Sequence, residues 1–297
     1  MIVITAPTGN IGRHLLPLLL EAAPTHGEEL RVIARDPARL PDAVRARVEV
    51  VIGSHGDTEV VDRAFEGADA VFWLVPPDSS LAPTDAYCGF TRPAVKALAV
   101  HGVGHVVGVS ALGRGTPVAN RAGLVTASLD MDDLIATTGV AYRALANPSF
   151  FENLLEEADS IREKGVFTDA VDADRKAPLV AVADIAAVAA RLLLDRSWAG
   201  IDNLPVLGPQ DLSPNDLARI MTEQLGSPVR YECQPIEDLR TTLLGYGLDE
   251  AFVQGIADMK QAKDNGLDAG VIRTADTASP TTFAQWCAQT LKPAVLS

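Results

Sequence analysis

The chain has 297 residues, 47% of them hydrophobic, and a formal net charge of −14 at neutral pH. That length holds one large domain or two small ones with ample core, and the hydrophobic share excludes a disordered chain. The acidic balance argues against nucleic acid or an anionic membrane as a main partner.

Ile2-Val3-Ile4 is a β-branched run suited to a fully buried parallel strand. It runs into a small-residue turn, Thr5 to Gly12, in which Gly9 and Gly12 let the backbone tighten and approach a ligand. Ile11, Leu15, Leu18, Leu19 and Ala22 then recur at helical spacing. A strand, such a turn and a helix start make a dinucleotide site, where free N–H groups and the positive helix end receive a pyrophosphate. The first glycine usual in this fingerprint is Ala6 here. Leu30 to Ala34 is the second strand, with Arg35-Asp36-Pro37 at its end. An acid at that place suits NAD, and an arginine suits the 2′-phosphate of NADP, to which its planar fork can donate two bonds. Asp36 has two readings, a cap ahead of Pro37 or a ribose ligand. The cap is preferred, which leaves Arg35 for the phosphate.

Val48 to Ile52 reads as a third strand, Val60 to Phe65 as a short helix, and Ala70 to Val75 as a fourth strand closed by Pro76-Pro77. A helix follows from about Arg92 to Val100, then a fifth strand, Val106 to Val109, ending at Ser110. Leu129 to Thr138 reads as a helix and Val140 to Leu145 as a sixth strand. This alternation predicts an α/β fold with a Rossmann-type doubly wound parallel sheet. Ligands of such sheets bind outside the carboxyl ends of the strands. One crevice is therefore expected between Thr5 to Gly12, Arg35, Val75 to Asp78, Ser110 to Leu112, and Asn147 to Phe151.

Beyond it, Ile185, Val188, Ala189, Leu192 and Leu193 mark an amphipathic helix, followed by a strand near Leu204 to Leu207. Ser213-Pro214 opens a helix that ends at Gly226, two more helices are expected around Pro235 to Phe252, and Ser279-Pro280 caps a last one. Residues 1–155 are expected to form the cofactor-binding domain, with about 180–208 returning to it. The rest of 156–297 is expected to be a smaller C-terminal α/β substrate-binding or lid module.

Cys88, Cys233 and Cys287 are odd in number and far apart, which suggests neither a disulfide scaffold nor a zinc knuckle. Cys287 shares helical spacing with Phe283, Trp286 and Leu291 and reads as core. His101 and His105 are separated by Gly102 and Gly104, so they read as a helix end and a strand start, and no metal is expected. No apolar stretch approaches a membrane span, residues 1–15 lack a secretory pattern, and cytoplasmic residence is expected.

Taken together, these residues resemble the NmrA-like branch of the atypical short-chain dehydrogenase/reductases. The likeness is carried by Thr8-Gly9-Asn10-Ile11-Gly12-Arg13, Ala34-Arg35-Asp36-Pro37, and Asn147-Pro148-Ser149-Phe150-Phe151-Glu152-Asn153. Asp184-Ile185-Ala186, Gly208-Pro209 with Leu212-Ser213, and Leu225-Gly226 add to it. The resemblance implies a domain that binds NAD(P), usually NADP(H). By position, Thr8, Gly9, Asn10, Ile11 and Gly12 would cradle the pyrophosphate and Arg35 the 2′-phosphate. Val75 and Pro76 would border the nicotinamide ribose, with Asn147, Pro148 and Phe150 near the nicotinamide. The chain departs from the pattern at Ala6, at Gly53-Ser54 in place of Gly-Asp, and at about Ser128, where many relatives carry Lys or His. No Tyr-x-x-x-Lys pair occurs.

Hydride transfer is the cofactor's own chemistry, and the protein supplies orientation and excludes water. The proton donors on offer are Tyr87, Ser110, Ser128 and Asp130. Each has a plain alternative: Tyr87 as loop packing, Ser110 as an orienter of the cofactor amide, and Ser128 and Asp130 as helix surface. The expected activity is reduction of a small, largely apolar conjugated carbonyl, quinone or imine by NADPH, in a monomer or homodimer. A non-catalytic NADP(H)-binding redox sensor is the alternative, and an isomerase or epimerase with retained cofactor a weaker one.

Overall fold

Ile2, Val3 and Ile4 are wholly buried, and the main sheet extends outward on both sides of them. The computed structural model describes residues 1–297. Through the first half β1 (Ile2–Ile4), α1 (Gly12–His26), β2 (Leu30–Ala34), α2 (Asp42–Arg45), β3 (Glu49–Ile52) and α3 (Thr58–Phe65) alternate. They are followed by β4 (Ala70–Trp73), α4 (Phe90–His101), β5 (His105–Ala111), α5 (Leu124–Ala136) and β6 (Ala141–Asn147). The second half holds β7 (Ser149–Phe150), α6 (Ala158–Lys164), β8 (Val166–Asp169), β9 (Ala177–Val180), α7 (Val182–Leu194) and β10 (Ile201–Pro205). It continues with β11 (Asp211–Leu212), α8 (Pro214–Leu225), β12 (Arg230–Cys233), α9 (Ile236–Gly245), α10 (Glu250–Asp264), α11 (Phe283–Trp286) and α12 (Lys292–Leu296).

The main sheet has seven strands in the order β10-β6-β5-β4-β1-β2-β3. All its pairs are parallel, with Ile4 opposite Val32 on one side and Phe72 on the other. This is the doubly wound Rossmann-type sheet. Helices cover both faces because the strands are apolar on both. Leu15 and Leu19 of α1 pack with Ile185 and Ala189 of α7 against one face. Val61 and Phe65 of α3, Leu98 of α4, and Met131 and Ile135 of α5 cover the other. Each wholly buried Leu or Phe contributes about 1.5–3 kcal/mol. The order reverses between β1 and β4, so the crevice at a switch point opens there, above the carboxyl ends.

Two small sheets, β11-β9-β7 and β12-β8, follow the main one. A third core joins Phe151, Leu217, Met221, Phe283, Trp286 and Cys287. The short strands escape sequence reading because two- to four-residue pairings carry no measurable periodicity.

Several element ends differ from the sequence expectation. Helix α5 begins at Leu124 rather than Leu129. Its first turn holds Val125 and Thr126, poor helix formers, yet Thr126 Oγ1 accepts from Ala122 N–H (2.8 Å) and donates to Ala119 O (2.7 Å), fastening the turn. Tyr87 is not in a loop but in a π-helical turn, Asp85–Gly89, that leads directly into α4. Ser279 does not cap the last helical segment, because its hydroxyl donates to Leu207 O. Thr282 caps it instead, in a reciprocal box with Gln285. Ser213 and Asp216 form the expected box on α8, and Asp36 caps through Ala38 N–H at 3.0 Å. His101 ends α4 against Asp62, while His105 starts β5 against Trp198.

Candidate active site

Above the carboxyl ends of the strands lies a cavity of about 1370 Å³. A smaller cleft of about 490 Å³, beside Met1, Glu29 and Leu30, lies at the opposite ends of the strands and far from this one. The large cavity is lined by Thr8, Gly9, Asn10 and Ile11 from the β1 turn, by Arg35, and by Val75 and Pro76. Tyr87, Ser110, Ser128, Asn147, Pro148 and Phe150 line it as well. Gly12 does not. It lies beneath the turn, where a Cβ would stand 2.1 Å from Ala6 O, so its role is to let α1 close on the turn. Asp130 is exposed and does not line the cavity.

The turn presents several free backbone donors to the cavity. Ala6 takes φ +47, the left-handed conformation that a glycine adopts freely and that costs a residue with a Cβ about 1–2 kcal/mol. Its carbonyl accepts Gly9 N–H at 3.0 Å. The N–H groups of Thr8, Asn10, Ile11 and Gly12 donate to nothing in the chain, and they stand at the positive end of α1. Thr5 ties this turn to the next wall. Its hydroxyl donates to Phe72 O (2.9 Å) and accepts from Leu74 N–H (3.0 Å).

At one end of the cavity stand Arg35 and Arg39, neither of them in an ion pair with a carboxylate of the chain. Asp36 is engaged as the cap, which leaves the guanidiniums as the charged donors there. Next to them His55 is buried, with Nε2 2.8 Å from Leu74 O and its ring edge-on to Trp73 and Phe90 at 5.3 and 4.8 Å. Burial holds its pKa down to about 4 despite the hydrogen bond to Leu74, and the charge of Arg35 adds to the depression. His55 is therefore a neutral wall of the pocket at physiological pH.

At the other end, Asn147 Nδ2 donates to Ser110 O (3.1 Å) and Leu145 O (2.7 Å). Two carbonyl partners fix which side of the amide is the nitrogen. Its Oδ1 is consequently buried with no partner, an acceptor left for a donor group arriving in the cavity. A nicotinamide carboxamide N–H fits that acceptor, and the free N–H groups of the turn fit a pyrophosphate. Ser110 donates to Asp132, a carboxylate 3% exposed, whose second oxygen accepts from Tyr142 Oη at 2.6 Å. Arg114 Nη2 lies 3.7 Å from the same carboxylate. Burial pushes the Asp132 pKa up to about 6 against the pull of Ser110, Tyr142 and Arg114. Tyr87 has a phenol pushed up to about 12 by burial alone.

Asp132, Tyr142 and His55 escaped the sequence reading. Asp132 carried a usable signal: it lies on the stripe Val125, Ser128, Leu129, Asp132, Ile135, whose other members are apolar or small and all of which are buried. A carboxylate on such a stripe must find partners. The cavity is also lined by Leu81, Phe90, Leu124, Val125 and Met259, which no local motif marks.

Residues 7–196 match the family model described as NAD(P)H-binding. The chain is 31% identical to (4-alkanoyl-5-oxo-2,5-dihydrofuran-3-yl)methyl phosphate reductase of Streptomyces griseus, over 97% of both chains. It is 27% identical to quinone oxidoreductase 2 of Escherichia coli, over 91% of this chain and 89% of that protein. In fold it superposes on Citrobacter triphenylmethane reductase, crystallised with NADP(H), with a TM-score of 0.80 at 20% identity, covering 98% of this chain and all of that one. With the turn, the guanidiniums and the carboxamide acceptor in one cavity, the chain belongs to the NAD(P)H-binding family, among its NAD(P)H-dependent oxidoreductases.

Proposed function

We propose that the protein is an NADPH-dependent reductase that passes hydride to a small, uncharged, conjugated carbonyl or quinone. One observation carries this reading: a single cavity runs from the unpaired Arg35 and Arg39, past the phosphate turn, to an acceptor end with no Lys or Arg. The two arginines favour NADPH over NADH through the 2′-phosphate. The acceptor end, lined by Leu81, Leu124, Val125, Phe150 and Met259, suits an apolar molecule held by few polar groups. The relatives' names supply the class, a dihydrofuranone bearing an alkanoyl group in one and a quinone in the other. The phosphate ester in the first name finds no cation at this acceptor end, so the acceptor here is read as unphosphorylated. Thr8, Gly9, Asn10, Ile11 and Gly12 serve the pyrophosphate, directly or through the turn's shape. Val75 and Pro76 flank the ribose, Asn147, Pro148 and Phe150 border the nicotinamide, and Ser110 is the proton donor. Tyr87 and Ser128 shape the acceptor end. Residues 1–155 together with about 180–208 form the cofactor half, supported by β10 in the main sheet, and the rest of 156–297 closes the acceptor end.

The test is a titration with NADPH, NADP+, NADH and NAD+, followed by nicotinamide absorbance in the presence of quinones and enones. Charge-assisted hydrogen bonds of about 1.5–3 kcal/mol imply that Arg35→Ala weakens NADPH binding about tenfold to a hundredfold and leaves NADH binding within about threefold. An equal loss for both cofactors would remove Arg35 from the 2′-phosphate, and no oxidation by any acceptor would remove the reductase.

A further inference from the structure

The Ser110 hydroxyl has one hydrogen, and in the structure it points at Asp132. A hydroxyl so engaged can accept a bond from the cavity but cannot give its hydrogen to a substrate. We propose that Asp132 sets the direction of the Ser110 hydroxyl and thereby decides whether that hydroxyl delivers a proton to the acceptor; this rests on the reductase reading above. With Asp132 ionised, Ser110 donates inward. With Asp132 protonated, the carboxylic acid donates to Ser110 Oγ, and the serine hydrogen turns to the cavity that Ser110 lines.

The atoms balance. A bound nicotinamide would supply the hydride; as the acceptor gains it, a C–H bond would form and the carbonyl π pair would move to oxygen. The Ser110 O–H bond breaks as an O–H bond forms on that oxygen, and the Asp132 proton replaces the one Ser110 gave. The acceptor has gained a hydride and a proton, the cofactor has lost a two-electron hydride, and Asp132 is left ionised to be reprotonated from solvent. Ser110 touches the acceptor and is the catalytic residue; Asp132 acts through it and is a positioning residue.

The surroundings keep this carboxylate poised rather than permanently charged. Tyr142 Oη on β6 and Ser110 Oγ on β5 stabilise its ionised form, as does Arg114 in the following loop. Arg114 is shared, with Nη1 2.9 Å from Asp133, and Asp133 pushes the other way. On the α4 side stands the Cys88 thiol, itself raised by burial and by Asp130, Asp132 and Asp133, with Arg92 opposing. Burial outweighs the donors, and the group's pKa is pushed up to about 6, where both forms are populated near neutrality. No lysine of the tyrosine–lysine kind is needed for such a device.

Three variants test it: Asp132→Asn, Tyr142→Phe and Ser110→Ala. Three readouts apply: NADPH affinity by fluorescence, the pH profile of kcat with 2-cyclohexen-1-one, and an infrared pH titration of the carboxylic C=O stretch in the protein without cofactor. The wild type is expected to lose activity with rising pH, approaching tenfold per unit above the ionisation. Asp132→Asn flattens that limb at a rate at least tenfold lower, keeps NADPH affinity within about threefold, and removes one titrating carboxyl band. Tyr142→Phe takes a donor from the ionised form and moves the limb and the band to higher pH together. A limb unchanged in Asp132→Asn, or a full-rate Ser110→Ala, would overturn the proposal while leaving the reductase intact. A wild type that binds NADPH and reduces nothing at any pH would instead sink the reductase reading beneath it.

Discussion

At the residue scale the site depends on what is missing from position 108. A Cβ on Gly108 of β5 would lie 2.2 Å from Tyr142 Oη and 2.7 Å from its ring carbon Cε2, both of them part of a buried side chain. Only a glycine lets the tyrosine lie flat across the strand and reach Asp132. Gly108→Ala should therefore expel the ring or strain β5, and deprive Asp132 of a donor. Overpacking and a lost hydrogen bond to a charged group together predict a loss of about 2–4 kcal/mol in urea unfolding. An unchanged midpoint would mean that Tyr142 swings aside without cost. Legibility at this scale followed locality. Asp36 was readable because a cap is set by neighbours in sequence, and the cap is where the sequence placed it, while Arg35 lines the cavity as its place after β2 suggested. For Asp132 the burial was signalled by its helical stripe but the partners were not, because they arrive from two strands, 22 and 10 residues away.

Helix α10 is the element that completes the acceptor end. It is held at both ends: Asp249 N–H donates to Ser79 O (2.9 Å), and Lys263 Nζ reaches Ser149 Oγ (3.0 Å) and Asp268 (3.4 Å). Between them α10 crosses the start of α5 at a glycine pair. A Cβ on Gly123 would meet Gly255 O at 1.9 Å, and one on Gly255 would meet Pro83 Cγ at 2.7 Å. Met259, one turn beyond Gly255, lines the cavity. Gly255→Val should push α10 off Pro83 and the start of α5 and carry Met259 with it. We expect KM for a quinone acceptor to rise about tenfold, the worth of one displaced apolar contact, while NADPH affinity stays within about twofold. A change in cofactor affinity alone would place α10 elsewhere in the cycle. No such crossing is written in the sequence of either helix. A glycine in a helical pattern reads only as a propensity penalty until the partner is known. The same blindness moved the start of α5, where Thr126 closes the first turn through residues upstream rather than through a standard cap.

Across the whole molecule two buried groups respond to acid in opposite directions. His55 has its pKa lowered from 6.5 to about 4, so the folded state favours its neutral form. Its contribution is full above pH 6.5 and is lost as pH falls toward 4, on the order of 3 kcal/mol. Asp132 is raised from 3.8 to about 6, so its contribution is full below pH 3.8 and is lost as pH rises through 6, by a similar amount. Between pH 4 and 6.5 the two nearly offset each other. Removing one should unmask the other in a pH series of urea unfolding. Relative to wild type, Asp132→Asn should lose roughly 2–3 kcal/mol between pH 6.5 and 4, and His55→Phe should gain about as much. Parallel profiles for both variants would mean that neither group titrates as its burial dictates. The sheet itself was legible at this scale because six strands in sequence alternate with helices and need no distant partner to be seen. The small sheets were not legible, because their register comes from chain segments far apart.

The seventh strand has a consequence for how the chain can be cut. The outer edge of β6 is covered from Tyr142 to Ala146 by Ile201 to Pro205 of β10. The NAD(P)H-binding match ends at residue 196, short of that strand. A fragment trimmed to the match would expose the backbone donors and acceptors of a long, apolar strand along its whole rim, a ready template for another copy. Such a fragment should come out of expression as aggregate, and extending it through Pro205 is the smallest change that closes the rim.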